Sequence, residues 1–330
     1  MPQPYRIFGS EMSPYSVKVR SYFRFKQIPH VWIPRGPDND EDYRRFARLP
    51  IVPTVATPDD EGIQDSTPII ERVEAICTQP SIHPADPALR FLSELIEEFG
   101  DEWGNKLMFH HRWHADVDAE ASSRTLARLL LPHGDAISVA EKARAIRERM
   151  TGRGHFVGSS QANAPLITAY YGELIDLLET HLASRRYLFG ERPAFADFGL
   201  SGQLYEASVD PTCGAEMRAR GPKVLDWCHR MMEPRLDGPF EDWGALAPTM
   251  APILNYIGRY FLPWTTANAR TLEAGADNFT VDLPGGPYSQ PPQKYHARSL
   301  AALKGKYAQA MGAPGLRAIL SAAGCLDYLQ

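Results

Sequence analysis

Three prolines in the twelve residues CTQPSIHPADPA (77–88) divide the chain into two stretches of different periodicity. Proline removes a backbone donor and disfavours helix and strand interiors, so this run reads as a linker. Before it, YRIFG (5–9) and HVWI (30–33) are short β-rich runs. They flank Pro14 to Gln27, where Val17, Val19, Tyr22, Phe23 and Phe25 have helix-compatible spacing. A polar, helix-compatible segment from Asp38 to Arg48 follows. PTVAT (53–57) and EGIQ (61–64) then surround the turn Pro58-Asp59-Asp60, and a helix opens at Ser66 with Ile69, Ile70, Val73 and Ile76. The order βαβ, helix, ββα in 77 residues predicts a small α/β sandwich.

Beyond the linker the pattern turns helical. Leu92, Ile96, Phe99, Trp103 and Leu107 recur at three- and four-residue steps and form one apolar stripe. Further helices are expected near 136–150, 165–184, 196–208 and 222–232, with a glycine- and serine-rich loop from Gly152 to Asn163. From about residue 236 the texture changes. An aromatic helix candidate, Ile253 to Trp264, precedes the Pro- and Gly-rich NFTVDLPGGPYSQPPQ and a final pair of short helices. The expected division is therefore 1–77 α/β domain, 78–88 linker, 89–235 helical domain and 236–330 extension packed on the helical domain.

Composition excludes several classes of function. Thirty-five Lys plus Arg against forty Asp plus Glu leave a net charge of −5, which offers no attractive field to nucleic acid or anionic lipid. No run of ~18 apolar residues that would span a membrane is present, and MPQPYRIFGSEM lacks the pattern of a secretory signal. Cys77, Cys213, Cys228 and Cys325 form no CxxC pair, so a zinc ribbon or dithiol redox site is not indicated, and four thiols fit the reducing cytosol.

Three places carry candidate chemistry. Ser13-Pro14-Tyr15-Ser16 stands between a strand and a helix, with Pro14 suited to the first helical position and Ser13 to the cap. Free N–H groups there favour an anion, and Ser13 as a plain cap is the competing account. Val52-Pro53 begins a strand, and a cis bond there would turn one backbone edge outward for intermolecular pairing. Asp65-Ser66 opens the next helix, where a hydroxyl and several N–H groups can clamp a carboxylate; Ser66 as a cap competes.

In order and spacing these segments resemble the thioredoxin-like domain of the glutathione transferase superfamily, followed by that superfamily's all-helical domain. The resemblance rests on YRIFGSEMSPYSVKVRSYF, ARLPIVPTV, IQDSTPIIERVEA and, in the second domain, RRYLFGERPAFADFGLSGQLYE. It covers the chain to about residue 235. It implies that Val52 and Pro53 pair with the cysteinyl part of glutathione and that Asp65 and Ser66 hold its γ-glutamyl group. Ser13 matches a position that is cysteine in omega-type and glutaredoxin-like members, and Ser16 replaces a second thiol, which disfavours thiol–disulfide exchange. The resemblance then points to a serine-type enzyme in which Ser13, with Ser10 as rival and Tyr15 as a further donor, stabilises the glutathione thiolate. Lowering a thiol pKa from 8.5 by roughly two units needs about 2.7 kcal/mol. A hydrogen bond to a charged acceptor supplies about 1.5–3 kcal/mol and a helix terminus about 0.3–1.

Two positions depart from the pattern. Leu49-Pro50-Ile51 stands where many relatives carry a lysine, with Arg48 as a substitute, and Ala194 replaces the Ser or Thr that usually caps the helix containing Asp197. By resemblance, the helix bearing Trp103, Phe109 and Trp113 lines a pocket for a hydrophobic electrophile. His110, His111 and His114 lack the HExxH pattern, and no metal is expected. The reading is a cytoplasmic, homodimeric glutathione transferase with glutathione as co-substrate. Its alternatives are a glutathione-dependent isomerase, lyase or dehalogenase, and a non-catalytic binding or assembly protein of the same fold.

Overall fold

Alternation along two short strands builds the first core. The computed structural model describes residues 3–330, beginning with β1 (Tyr5–Gly9), α1 (Pro14–Phe25) and β2 (His30–Pro34). Then come α2 (Asp40–Phe46), β3 (Thr54–Ala56), β4 (Gly62–Gln64) and α3 (Ser66–Ile76). The strand order is β2-β1-β3-β4, with β1 and β2 parallel and β3 antiparallel to both its neighbours. Successive side chains point to opposite faces. Ile7 and Val55 therefore meet Val19, Phe23, Ile70 and Val73 of α1 and α3, while Phe8 and Ala56 meet Tyr43 and Phe46 of α2. The resulting architecture is a thioredoxin-like α/β domain followed by helices.

The helical part opens with α4 (Pro87–Phe99), capped by the Asp86 carboxylate, and continues through a wide π-type turn, Gly100–Gly104, into α5 (Asn105–His114). It continues with α6 (Asp116–Leu130), α7 (Ala136–Thr151), α8 (Ala164–Leu182), α9 (Phe195–Ser208), α10 (Pro211–Arg220) and α11 (Pro222–Arg230). The helices α6 and α10 add to those expected from the sequence. The residues that α6 buries are Asp118, Ala119, Ser122, Ser123 and Ala127, which make no apolar stripe.

Helix α9 runs through the centre, flanked by α4 and α1. A Cβ on Gly199 would lie 2.8 Å from the Glu97 carbonyl oxygen, and one on Gly202 would lie 2.7 Å from that of Pro14. Only glycine permits these approaches without displacing backbone, and the second sets the helical domain against the start of α1. In the first turn of α9, the Asp197 carboxylate accepts from the N–H groups of Ala194 and Leu188 and from Trp227 Nε1, each at 2.8 Å. This retains the acidic half of a capping box although Ala194 has no hydroxyl.

The last segment comprises α12 (Trp243–Tyr256), α13 (Leu262–Glu273), a hairpin of β5 (Phe279–Leu283) and β6 (Gly286–Gln290), α14 (Lys294–Ala310), α15 (Leu316–Ala322) and α16 (Leu326–Leu329). The hairpin forms within the Pro- and Gly-rich stretch; Pro284 and Gly285 make its turn, with Gly285 at φ 96°, and Gly286 opens β6 at φ 144°. At seventeen residues, α14 also exceeds the expected short helix. Tyr256, Phe261, Trp264 and Leu316 share one continuous apolar core with α4, α8 and α9.

Replacing Asp197 by alanine leaves three N–H donors without their acceptor. The expected loss is about 3 kcal/mol or more, read as a lower urea midpoint.

Candidate functional site

The register brings three distant sequence positions to one end of the sheet. Phe8 pairs with Thr54 and Thr54 with Gln64, so the end of β1, the start of β3 and the end of β4 lie side by side. Ser10 and Ser13 follow the first, Val52 and Pro53 precede the second, and Asp65 and Ser66 follow the third. Neighbouring strands are about 4.8 Å apart, so the group spans roughly 10 Å. The Val52–Pro53 bond is cis. Val52 makes no backbone hydrogen bond among the described residues, whereas the preceding turn is held by Gln64, whose Nε2 donates to Leu49 O at 2.7 Å and Ile51 O at 3.0 Å. A short stretch of backbone is thus available for pairing between two helix N-termini.

At the first terminus, Ser13 Oγ accepts from the Ser16 N–H at 3.3 Å, and Ser10 Oγ accepts from the Met12 N–H at 3.3 Å. Both hydroxyls remain able to donate a proton. Tyr15 is placed differently: its hydroxyl donates to the Asp101 carbonyl at 2.9 Å, and burial followed by the charges of Glu102 and Asp101 pushes its pKa well up. That donor is already engaged. At the second terminus Asp65 adopts φ 79°, a left-handed conformation costly for a residue with a Cβ, while Ser66 is fully buried. Burial pushes the Asp65 carboxyl upward, against the opposing charge of Lys18. Arg48 is exposed beyond the Leu49–Ile51 turn.

A buried ion cluster, not foreseen from the sequence, joins the two termini. Lys18 of α1 reaches the carboxylates of Glu97 and Asp101, the latter at 2.6 Å, and Thr67 Oγ1 at 3.0 Å. The Ser66 hydroxyl donates to Asp101 at 3.3 Å. Burial alone would lower the Lys18 pKa, but Asp101 and Glu97 outweigh it and hold it above the ordinary value. Burial is also the largest influence on Asp101, pushing its carboxyl up to about 7 against the pull of Lys18. The sequence signal was a lysine on the apolar helix α1 and acids recurring along 94–102, which show no pairing until the helices are packed.

Of the expected pocket residues, Trp103 requires correction. It is fully buried, donates from Nε1 to Tyr256 Oη at 3.2 Å and packs against Tyr170, Tyr260 and Trp264. It packs within the core stripe and is closed to solvent. Phe109 is half-buried, and its ring lies 6.3 Å from that of Trp113. Trp113 borders a cavity of about 340 Å³ with His114, Arg147, Thr151 and Ser159, a lining more polar than expected. His110 stacks on His114 at 4.5 Å and lies 2.7 Å from Ser159 Oγ.

Residues 12–76 match the family model for the glutathione S-transferase N-terminal domain, and residues 138–230 match that for the C-terminal domain. The chain belongs to the glutathione S-transferase superfamily. Among solved structures, this superfamily member is similar to a glutathione S-transferase from Rhodospirillum rubrum F11 at 17% identity and a TM-score of 0.43, covering 68% of this chain and 86% of the other. A glutathione S-transferase from Methylobacterium radiotolerans in complex with glutathione sulfonate matches at 18% identity and a TM-score of 0.42, covering 75% and 94%. The Tau class glutathione S-transferase from mango, Mangifera indica, matches at 17% and 0.43, covering 75% and 97%. No curated protein matched in sequence.

In this superfamily member, Lys18→Met strands two buried carboxylates side by side. It should cost about 3–5 kcal/mol by urea unfolding, most of it recovered when Glu97→Gln and Asp101→Asn are added.

Proposed function

We propose that the protein is a glutathione-dependent transferase, on the strength of one observation: the unpaired Val52 backbone lies between the helix termini at Ser13 and Ser66, at one end of the sheet. In this reading the cysteinyl part of glutathione pairs with Val52 beside Pro53. Its α-ammonium meets the Asp65 carboxylate and its α-carboxylate the N–H groups at the Ser66 helix terminus, toward which the Ser66 hydroxyl turns from Asp101. The sulfur then lies toward the first turn of α1. A hydrogen bond donated by the hydroxyl of Ser13, or of Ser10, stabilises the thiolate, and the N-terminal dipole of α1 adds to it. The thiolate attacks an electrophile held near Phe109 and Trp113, where the polar cavity lining favours substrates with hydrogen-bonding groups. A homodimer and a cytoplasmic setting complete the proposal.

The contact between Tyr295 and Asp65, at 3.4 Å, favours a second reading in which the fold binds a partner without turnover. Calorimetric titration with glutathione, followed by conjugation assays, separates the two. The transferase reading expects binding that weakens about ten- to a hundredfold in Asp65→Ala. It also expects the bound thiol's pKa, followed by thiolate absorbance, to rise by about one to two units in Ser13→Ala. If glutathione binds but no thiolate forms at neutral pH, the non-catalytic reading stands.

A further inference from the structure

Helix α14 carries Lys294, His296, Arg298, Lys304 and Lys306 and no acidic residue. It packs along α4 and the turn after it, where Glu94, Glu97, Glu98, Asp101 and Glu102 stand. His296 Nδ1 meets the Glu102 carboxylate, the Ser299 hydroxyl donates to Glu98, and Lys306 Nζ lies 2.6 Å from Glu71 of α3. The first turn is fixed independently. Gln293 N–H donates to Asn268 Oδ1 at 2.7 Å, Asn268 Nδ2 donates to Gln293 O at 3.0 Å, and the His296 ring packs edge-on against Trp264 at 4.7 Å.

This anchoring carries the adjacent residue, Tyr295, to the γ-glutamyl end of the proposed groove. Its hydroxyl donates to Asp65 Oδ2 at 3.4 Å. Crowding of the hydroxyl by surrounding protein, and then the charges of Glu102 and Asp65, push the phenol's pKa upward, so it stays a neutral donor although the residue as a whole is partly exposed. The residue is 45% exposed, so its ring lies on the rim rather than in the core and has solvent to turn into.

Building on the function proposed above, we propose that Tyr295 is a built-in competitor for the glutathione ammonium at Asp65. The tripeptide enters fully only by displacing the phenol. A long hydrogen bond from a neutral phenol is weaker than the ion pair an ammonium makes with the same carboxylate, so the ligand prevails but loses part of its affinity to the exchange. The device couples the C-terminal extension to occupancy of a site built by the first 66 residues.

The test is calorimetric titration of glutathione into the full-length chain and its Tyr295→Phe and Tyr295→Ala variants, with amide hydrogen exchange over 293–299 in the wild type. Competition expects Tyr295→Phe to bind about three- to tenfold more tightly, and bound glutathione to speed exchange in the first turn of α14. Unchanged or weaker binding by Tyr295→Phe, with the wild type binding normally, overturns the competition and leaves the transferase reading intact. Failure of the wild type and both variants to bind glutathione overturns that reading, and the competition with it.

Discussion

The ammonium of Lys18 holds together the parts from which the candidate site is made. It joins α1 to α4 through Glu97 and to the turn after it through Asp101, and reaches α3 through Thr67, with all but Thr67 buried. Two carboxylates removed from water so close together would repel strongly without a cation between them. The same Asp101 accepts from Ser66, so the position of the second helix terminus depends on a charge carried by the first. Gly202, set against Pro14, closes the arrangement from the side of α9.

Much of the α/β domain was legible because its signals are local. Strand runs of two-residue period, a serine–proline helix start at Ser13-Pro14 and the polar turn at Pro58–Asp60 each specify structure within a few residues. The adjacency of Ser13, Pro53 and Ser66 was inferred from resemblance, and the register Phe8–Thr54–Gln64 supplies its physical basis. Partners remote in sequence were not legible. Nothing near Lys18 indicates acids about eighty residues onward, and nothing near Asp65 indicates a tyrosine 230 residues away.

Trp103 shows a different limit. The stripe Leu92, Ile96, Phe99, Trp103, Leu107 already marked it as core, while its place on the same helix as Phe109 and Trp113 suggested a pocket. The π-type turn at Gly100–Gly104 alters the helical phase between these groups, since a wider turn rotates every later residue about the axis. The hairpin was hidden for a compositional reason. Its buried residues Phe279, Leu283, Tyr288 and Gln290 are spaced around LPGGP, and Gln290 earns its burial by accepting from both Lys106 Nζ at 2.8 Å and Trp264 Nε1 at 3.1 Å.

The reach of Tyr295 back to Asp65 also bears on the order in which the molecule can be completed. A ribosome adding about 5–20 residues per second needs roughly 10–50 s to travel the 230 residues between them. Over that interval the segments of the α/β domain precede the basic helix that meets acids of α4 and the turn after it. Until α14 has been made, Glu98 and Glu102 lack the Ser299 hydroxyl and His296 ring that meet them in the finished chain.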